Sequence, residues 1–249
     1  MTAVTRAAFD PIAPFYDRMW TNTDIGRLQR SAVWSCTDRL FAAGDHILDL
    51  GCGTGEDSVH LLSRGVRVTA IDASPAMVEA ARQRGVSATA MSMEQLECLE
   101  GQFDGALSNF GALNCVKEFR ALRGSMARLI RPGGYLACCF MGRFCMWETA
   151  YYLLRGEFRE SGRRWRGRSE SRSVGISIFY PTVKFVSRAF APDFELADFS
   201  GIGIFVPPSF VPHLPAAVLA RCGGIDRKLA RWPGFRALSD HRLLIVRRR

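Results

Sequence analysis

Residues 46–55 read His-Ile-Leu-Asp-Leu-Gly-Cys-Gly-Thr-Gly, the most informative stretch of the chain. Residues 47–50 are apolar apart from one aspartate, a pattern typical of a short buried parallel strand. Three glycines in the next five positions end the strand before a helical pattern begins. Glycine permits positive φ and lets backbone N–H groups approach a ligand at a helix N-terminus. The stretch therefore predicts a strand, a ligand-binding turn and a helix.

The residues around the turn narrow the choice of ligand. A loop that binds a nucleoside triphosphate needs Gly-Lys-Ser or Gly-Lys-Thr, but Gly55 is followed by Glu56 and Asp57, whose carboxylates would repel a triphosphate. The dinucleotide fingerprint needs a third glycine three residues after the second, and that glycine is missing here. Asp49, just before the turn, indicates instead a ligand that carries positive charge.

At this turn the chain resembles the class I S-adenosylmethionine (SAM) dependent methyltransferases. Residues 48–55 match the first motif of that family as Leu-Asp-Leu-Gly-Cys-Gly-Thr-Gly. The resemblance covers residues 9–140 and implies a doubly wound, Rossmann-like α/β sheet of seven strands whose last strand is antiparallel. It also implies SAM as the cofactor and an enzyme that transfers its methyl group. A glycine turn that binds no ligand is the alternative.

A second acidic residue lies where the ribose of SAM would need it. Asp49 and Asp72 are 23 residues apart, near the interval at which a strand, a helix and a second strand return to the same sheet edge. One carboxylate can accept hydrogen bonds from both ribose hydroxyls. We therefore predict that Asp72 binds the adenosyl ribose. The turn and the distal acid together are more specific than either alone.

The resemblance implies further cofactor contacts. Met77 is expected along the adenine edge. Many relatives have Asp or Glu where this chain has Ser92, whose hydroxyl can accept one hydrogen bond, while Met93 can offer its backbone N–H to the ring. The predicted cofactor-binding residues are Tyr16, Asp49, Gly51, Cys52, Gly53, Asp72, Ala73, Met77, Ser92, Met93, Glu94, Asn109 and Phe110.

Composition favours one globular domain inside the cell. The chain has 249 residues, 48% of them hydrophobic and 23% charged, and no apolar run reaches the roughly 18 residues of a membrane span. Residues 1–15 lack the pattern of a secretory signal. Eight cysteines without a Cys-x-x-Cys pair are expected to be buried thiols in a reducing compartment, although cysteines that converge in space could still bind arsenic. We therefore expect a cytoplasmic protein without a metal site.

The net charge of +9 is concentrated in the second half of the chain. Residues 44–140 carry nine basic and eleven acidic side chains, whereas residues 141–249 carry nineteen and nine. Such a basic surface suits an anionic metabolite, an anionic membrane or a nucleic acid. Methyltransferases of adenine or cytosine amino groups typically have Asn-Pro-Pro-Tyr after the fourth strand, but here Asn109 is followed by Phe110 and Gly111. A nucleic-acid partner is therefore disfavoured.

The chain divides into four segments of one methyltransferase domain. The prediction is an N-terminal lid of helices over 1–43, a SAM-binding core over 44–140, a cap insertion over 141–181 and completion of the sheet over 182–249. In the lid, Tyr16 could close over the cofactor or simply pack as an aromatic residue.

The cap segment combines aromatic and basic side chains. Residues 144–165 predict one amphipathic helix, and residues 155–172 contain seven arginines and three glutamates. Aromatic rings interleaved with arginines suit an apolar ligand with an anionic group, whereas a solvated surface helix followed by a flexible loop is the alternative. The predicted substrate-binding residues are Asn114, Trp147, Tyr151, Tyr152 and Arg164.

The predicted reaction is in-line transfer of the SAM methyl group to a small, lipophilic and acidic or anionic metabolite. The sulfonium of SAM is already activated, so a general base is needed only if the acceptor arrives protonated. His46 and His60 are expected to be surface or packing residues. Of the two remaining histidines, His213 and His241, we select His213 as the candidate base, with Tyr16 as a second candidate. An RNA-modifying methyltransferase and a non-catalytic SAM-binding subunit are the alternatives.

Overall fold

A computed structural model of the protein describes residues 8–171, 175–211 and 214–249. The strands are, in chain order, β1 (His46–Leu50), β2 (Arg67–Asp72), β3 (Ala88–Ala90), β4 (Phe103–Ser108), β5 (Ile130–Met141), β6 (Arg168–Glu170), β7 (Ser177–Phe179), β8 (Phe194–Ile202) and β9 (His241–Arg248). The α-helices are α1 (Ala13–Tyr16), α2 (Asp24–Thr37), α3 (Glu56–Ser63), α4 (Pro75–Gln83), α5 (Phe119–Leu129), α6 (Met146–Leu154), α7 (Phe158–Ser161), α8 (Val183–Phe190), α9 (Ala216–Leu229) and α10 (Pro233–Arg236). Short 3₁₀ turns cover Asp10–Ile12, Met93–Cys98, Ala112–Cys115 and Arg164–Arg166, and a π-helical turn covers Asp17–Thr21.

Seven strands form one sheet in the order β3-β2-β1-β4-β5-β9-β8. The strands β1 to β5 pair in parallel, whereas β9 runs antiparallel to both β5 and β8. This arrangement confirms the predicted seven-stranded, Rossmann-like sheet with an antiparallel last strand. The strand order reverses between β1 and β4, so the carboxyl ends of these strands and of β2 border the crevice where doubly wound sheets bind ligands.

Helices cover both faces of the sheet because side chains alternate along each strand. In β1, Leu48 belongs to the apolar cluster that α5 and α8 complete on one face. Its neighbour Ile47 belongs to the cluster that α2, α3 and α4 complete on the other face. Both side chains are fully buried, and each such burial stabilises the fold by roughly 1.5–3 kcal/mol. The short β1 strand is therefore held from both sides, which fixes the turn that follows it.

The glycine turn after β1 requires residues without a Cβ. Gly51, Gly53 and Gly55 have φ values of +74°, +55° and +84°. A Cβ on Gly51 would lie 2.4 Å from the Cβ of Ala112, whereas a Cβ on Gly53 would meet open space. The turn therefore packs closely against the segment after β4 and leaves its backbone bare at Gly53.

The single helix predicted over 144–165 is wrong, because the segment between β5 and α8 contains several shorter elements. The structure divides it into α6, α7 and the 3₁₀ turn Arg164–Arg166. Gly156, with φ +72°, follows the end of α6 and provides the left-handed residue that commonly ends a helix. The strands β6 and β7 then form a separate antiparallel pair. Within the described ranges, every helix is too short or too polar to span a membrane.

Candidate functional site

A cavity of about 470 Å³ opens at the carboxyl ends of β1, β2 and β4. Its walls come from the glycine turn, the segments after β2, β3 and β4, and the N-terminal helical segment. Of the residues predicted to bind the cofactor, all but Asp49 line this cavity: Tyr16, Gly51, Cys52, Gly53, Asp72, Ala73, Met77, Ser92, Met93, Glu94, Asn109 and Phe110. The fold thus brings these residues together around one space.

Asp72 presents a fixed carboxylate in the cavity wall. Its Oδ2 accepts a hydrogen bond from the N–H of Gly53 at 2.9 Å, and its Oδ1 accepts one from the N–H of Ser74 at 2.8 Å. Burial raises the pKa of Asp72, and these two donors oppose the rise. Each oxygen keeps a second lone pair, so the carboxylate can accept two further hydrogen bonds from a ligand. This geometry suits a ligand with two neighbouring hydroxyl groups.

Asp49, which was predicted to bind the cofactor, does not line the cavity, and its direct contact with a ligand stays a prediction. The residue is 1% exposed, and its Oδ2 accepts a hydrogen bond of 2.6 Å from the hydroxyl of Ser58 in α3. Burial, together with the nearby carboxylate of Asp57, raises the pKa of Asp49 to about 7. Its carboxylate is therefore used to fasten β1 to α3 beneath the turn.

Asp57, in the first turn of α3, joins three elements beside the cavity. Its carboxylate forms a buried ion pair with Arg30 of α2. It also accepts hydrogen bonds from Trp34 Nε1 at 2.7 Å and from Asn109 Nδ2 at 3.1 Å. The guanidinium of Arg30 lies 4.6 Å from the ring centre of Trp20. The network holds α2 against α3 and keeps Arg30 in the cavity wall.

Three aromatic rings, Trp20, Phe110 and His241, line the cavity side by side. The ring of Phe110 meets Trp20 at 4.5 Å and His241 at 5.2 Å between centres, edge to face in both cases. Phe110 has a φ of +44°, which is uncommon for a residue with a side chain and recurs at functional sites. Tyr16 lies 6.1 Å from Trp20, and burial raises the pKa of Tyr16 to about 12. Its hydroxyl therefore stays protonated near neutral pH and can donate a hydrogen bond.

A buried chain of charges leads to His241, the first residue of β9. Its Nδ1 lies 3.3 Å from Oδ2 of Asp240, and Arg164 donates to Oδ1 of Asp240 at 2.8 Å. Arg164 also donates to Oε2 of Glu148 at 2.9 Å. Although burial opposes ionisation, His241 and Arg164 hold the pKa of Asp240 well below its usual range. The other ring nitrogen of His241, Nε2, makes no hydrogen bond to a described residue and is free to accept one from a ligand.

Two cysteines, Cys52 and Cys115, also line the cavity. Burial raises the pKa of Cys115 to about 11 and lifts the pKa of Cys52 further. Both are therefore neutral thiols near pH 7. The part of the chain that the structure describes contains no group of three or more side chains arranged to hold a metal.

Comparison with known proteins identifies the domain. Residues 47–134 match the family model described as a methyltransferase domain. The demethylmenaquinone methyltransferase of Mycobacterium sp. (strain KMS) is 34% identical over 131 residues, 53% of this chain and 56% of that protein. The crystal structure of a SAM-dependent methyltransferase from Mesorhizobium loti superposes with a TM-score of 0.62 at 20% identity, over 89% of this chain and 100% of that one. Residues 47–134 therefore belong to a methyltransferase domain, and the sheet has the fold of a SAM-dependent methyltransferase.

The curated relatives have a higher sequence identity to this chain than the Mesorhizobium loti protein has, but the match covers only part of their length. The demethylmenaquinone methyltransferase of Mycobacterium marinum (strain ATCC BAA-535 / M) is 36% identical over 154 residues, 59% of this chain and 65% of that protein. The chain therefore spans between about half and two thirds of the relatives it matches. The matched region of the methyltransferase domain holds the glycine turn, Asp72 and Phe110.

The residues predicted to bind substrate do not line the cavity of the methyltransferase domain: Asn114, Trp147, Tyr151, Tyr152 and Arg164. Asn114 instead donates to the carbonyl of Phe179 at 2.6 Å, and the rings of Tyr151 and Tyr152 contact that of Phe210. These residues lie elsewhere than predicted because a pattern of aromatic and basic residues does not reveal which side of a helix faces the site. The predicted base His213 lies outside the described residues.

Three residues of the methyltransferase site, Arg30, Asp57 and His241, were not selected from the sequence. Arg30 lies on the buried face of α2 together with Val33, and an arginine on an apolar helix face was an available signal. His241 offered no such signal. It reaches the cavity because β9 pairs antiparallel with β5, which sets His241 opposite Met141.

Proposed function

We propose that the protein transfers a methyl group from SAM to a small, lipophilic ring molecule that carries an acidic hydroxyl group. The observation that carries this proposal is the single cavity in which Asp72 and the bare glycine turn face the same space as Phe110 and His241. A cofactor held by the turn would direct its reactive end to the aromatic wall that Trp20, Phe110 and His241 form. The name of the curated relatives, demethylmenaquinone methyltransferase, supports a quinone-like ring as the substrate.

The donor set of the cavity fits SAM. Asp72 would accept hydrogen bonds from the two ribose hydroxyls, using the lone pairs that are not occupied by the N–H groups of Gly53 and Ser74. The missing Cβ of Gly53 leaves room for the ligand against the backbone. Residues proposed to complete the cofactor site are Tyr16, Gly51, Cys52, Ala73, Met77, Ser92, Met93, Glu94, Asn109 and Phe110. When bound, SAM supplies an electrophilic methyl group on a positively charged sulfur.

The aromatic wall would receive the acceptor molecule. Trp20 and Phe110 offer apolar surface to a flat ring, and Ile178 and Met141 add aliphatic contacts. Such a wall also excludes water, so that a nucleophile is not weakened by hydration. Asn109 would act indirectly, because its amide nitrogen donates to Asp57 and its oxygen accepts from the N–H of Phe110. It thereby positions the strained backbone of Phe110.

His241 is the residue that we assign to remove the proton from the acceptor hydroxyl. Nδ1 lies 3.3 Å from Oδ2 of Asp240, although the two atoms do not meet hydrogen-bond geometry in this structure. We assign the hydrogen of the neutral ring to Nδ1 and the accepting lone pair to Nε2. Asp240 would then stabilise the imidazolium, and Arg164 keeps the Asp240 carboxylate in place. This assignment takes the place of His213. Tyr16 would serve as a hydrogen-bond donor, since its raised pKa makes it a poor base near pH 7.

Two measurements on the same preparation test the function. Calorimetry measures SAM binding, and a methyl-transfer assay offers a panel of quinols, phenols, carboxylic acids and isoprenoid phosphates. SAM binding with turnover of a quinol or phenol is the expected result. Failure to bind SAM at millimolar concentration would refute the function as a whole. Turnover confined to RNA would refute the substrate class, and SAM binding without any turnover would favour a non-catalytic subunit.

A further inference from the structure

The turn between α6 and α7 exposes a group of large apolar side chains. Leu154 is 89% exposed, Phe158 72% and Leu153 46%. The N–H of Glu157 donates to the carbonyl of Tyr152 at 2.9 Å and closes the turn that carries the three side chains. Single exposed apolar residues are ordinary, but a group of them on one turn marks an interaction surface.

Unpaired positive charge lies beside this apolar turn. Arg159 and Arg166 are both exposed, and Nη1 of Arg166 donates to the carbonyl of Arg159 at 2.9 Å. Neither guanidinium forms an ion pair with a described residue, whereas the neighbouring Arg155 is neutralised by Glu157 at 2.9 Å. The turn therefore combines apolar side chains with two free cations.

The arginines that build the fold are separate from those on the turn. Arg163 and Arg164 point inward and share the buried carboxylate of Glu148, with N–O distances of 2.7 and 2.8 Å. Among the described residues, Arg159 and Arg166 have no such carboxylate partner. The two exposed arginines are consequently not required for packing, and their position beside the apolar turn needs another explanation.

We propose that the turn between α6 and α7 docks the protein onto an anionic lipid bilayer. Leu153, Leu154 and Phe158 would enter the boundary between headgroups and acyl chains, and the two free arginines would lie among the lipid phosphates. A second copy of the chain fits less well, because a symmetric contact through this turn would bring the same cations together. The inference is independent of the proposed methyl transfer, since docking requires neither SAM nor substrate.

Vesicle co-sedimentation of the full chain tests the proposal. One set of vesicles is phosphatidylcholine, and the other contains about a third phosphatidylglycerol. We expect binding to the anionic vesicles that weakens at high salt. The double variant Leu154→Ser with Phe158→Ser should bind at least about tenfold more weakly. The double variant Arg159→Gln with Arg166→Gln should also lose roughly tenfold or more, since each basic residue near a membrane surface contributes about fivefold.

Two matched variants keep the test specific. Trp232→Ser removes an apolar residue that is 61% exposed elsewhere, and the pair Lys184→Gln with Arg188→Gln removes two exposed charges from α8. Both should bind vesicles like the wild type. Absence of binding by the wild type, equal binding to neutral vesicles, or an equal loss in the matched variants would overturn the proposal. Self-association in ultracentrifugation that Leu154→Ser abolishes would also overturn it, in favour of a dimer contact.

Discussion

At Asp72, two backbone N–H groups already orient the carboxylate, so a ligand meets an acceptor that does not have to reorganise. Replacing Asp72 with Ala should weaken SAM binding by about 2–3 kcal/mol, roughly 30- to 150-fold in Kd, because the ribose hydroxyls lose their partners. Calorimetry measures the difference. Asp24→Ala, at an exposed ion pair on α2, is the control and should bind SAM normally. Equal affinity of the two variants would contradict the ribose assignment.

His241 is expected to act on the rate and not on cofactor affinity. Replacing His241 with Gln should lower kcat by about 100-fold or more, since a positioned general base contributes roughly 10²–10⁴-fold. The acidic limb of the pH–rate profile should disappear, while the Kd of SAM stays nearly unchanged. His60→Gln is the control, because His60 pairs with Asp38 away from the cavity. An unaltered pH profile in the His241 variant would indicate a packing role only.

The two halves of the site differ in how far the sequence could predict them. The glycine turn and Asp72 belong to one strand–helix–strand unit, so their meeting follows from local spacing. Arg30 and His241 reach the same cavity only through the packing of α2 and the pairing of β9. Periodicity and motif spacing do not encode such long-range contacts. That the turn and Asp72 face one cavity was therefore predictable, whereas the position of the proposed base was not.

Among the elements, the turn after β1 leaves no room for added volume at Gly51. Gly51→Ala should place a Cβ 2.4 Å from the Cβ of Ala112 and also hold alanine at φ +74°. Gly44→Ala is a matched control, since Gly44 has φ +90° but open space around its Cβ position. The left-handed backbone costs both variants about 1–2 kcal/mol, and crowding adds roughly 1–3 kcal/mol at Gly51 alone. Equal free energies of unfolding in urea would refute the crowding argument.

The insertion between β5 and α8 is tied to the sheet by Arg164. Replacing Arg164 with Met leaves the buried carboxylate of Glu148 with Arg163 alone and removes the guanidinium from Asp240, which should destabilise the fold by about 3–5 kcal/mol. Arg166→Met, at an exposed position, should change the free energy of unfolding by less than about 0.5 kcal/mol. Urea denaturation distinguishes the two. Similar stability of both variants would mean that the buried ion network contributes little.

The same insertion shows what element prediction could not reach. The aromatic and basic residues over 144–165 predicted one helix, but the first helix ends before Gly156, and α7 and a 3₁₀ turn follow it. Arg164 consequently faces Glu148, whereas Arg166 remains exposed. Two arginines only two positions apart thus have a structural role and a proposed surface role. Only the three-dimensional path of the chain separates them.

For the molecule as a whole, Asp49 should make stability depend on pH. Burial raises the pKa of Asp49 to about 7, above the value near 3.9 of an unfolded aspartate. The folded state therefore binds more protons than the unfolded state between about pH 4 and pH 7, so the contribution of Asp49 to the free energy of unfolding falls as pH rises through this window. Each unit of pKa difference corresponds to about 1.4 kcal/mol.

Asp49→Asn should remove this part of the pH dependence. Relative to the wild type, the variant should be more stable above pH 7 than at pH 4, and urea denaturation across the window measures the difference. Asp24→Asn, at the exposed end of α2, provides the control and should follow the wild type. If Asp49→Asn and the wild type have parallel pH profiles, Asp49 is ionised in the fold throughout the window.

The antiparallel strand β9 has a consequence for how the protein is made. It covers one edge of β5, whose residues 137–140 are fully buried in the finished sheet. Ribosomes add about 5–20 residues per second, so roughly 5–20 s pass between synthesis of β5 and arrival of β9. During that time the nascent chain can already form the glycine turn and Asp72, but it exposes an apolar strand edge that other chains could join. Slower translation of the last hundred residues or so would therefore lengthen the period in which a growing chain is most prone to aggregate.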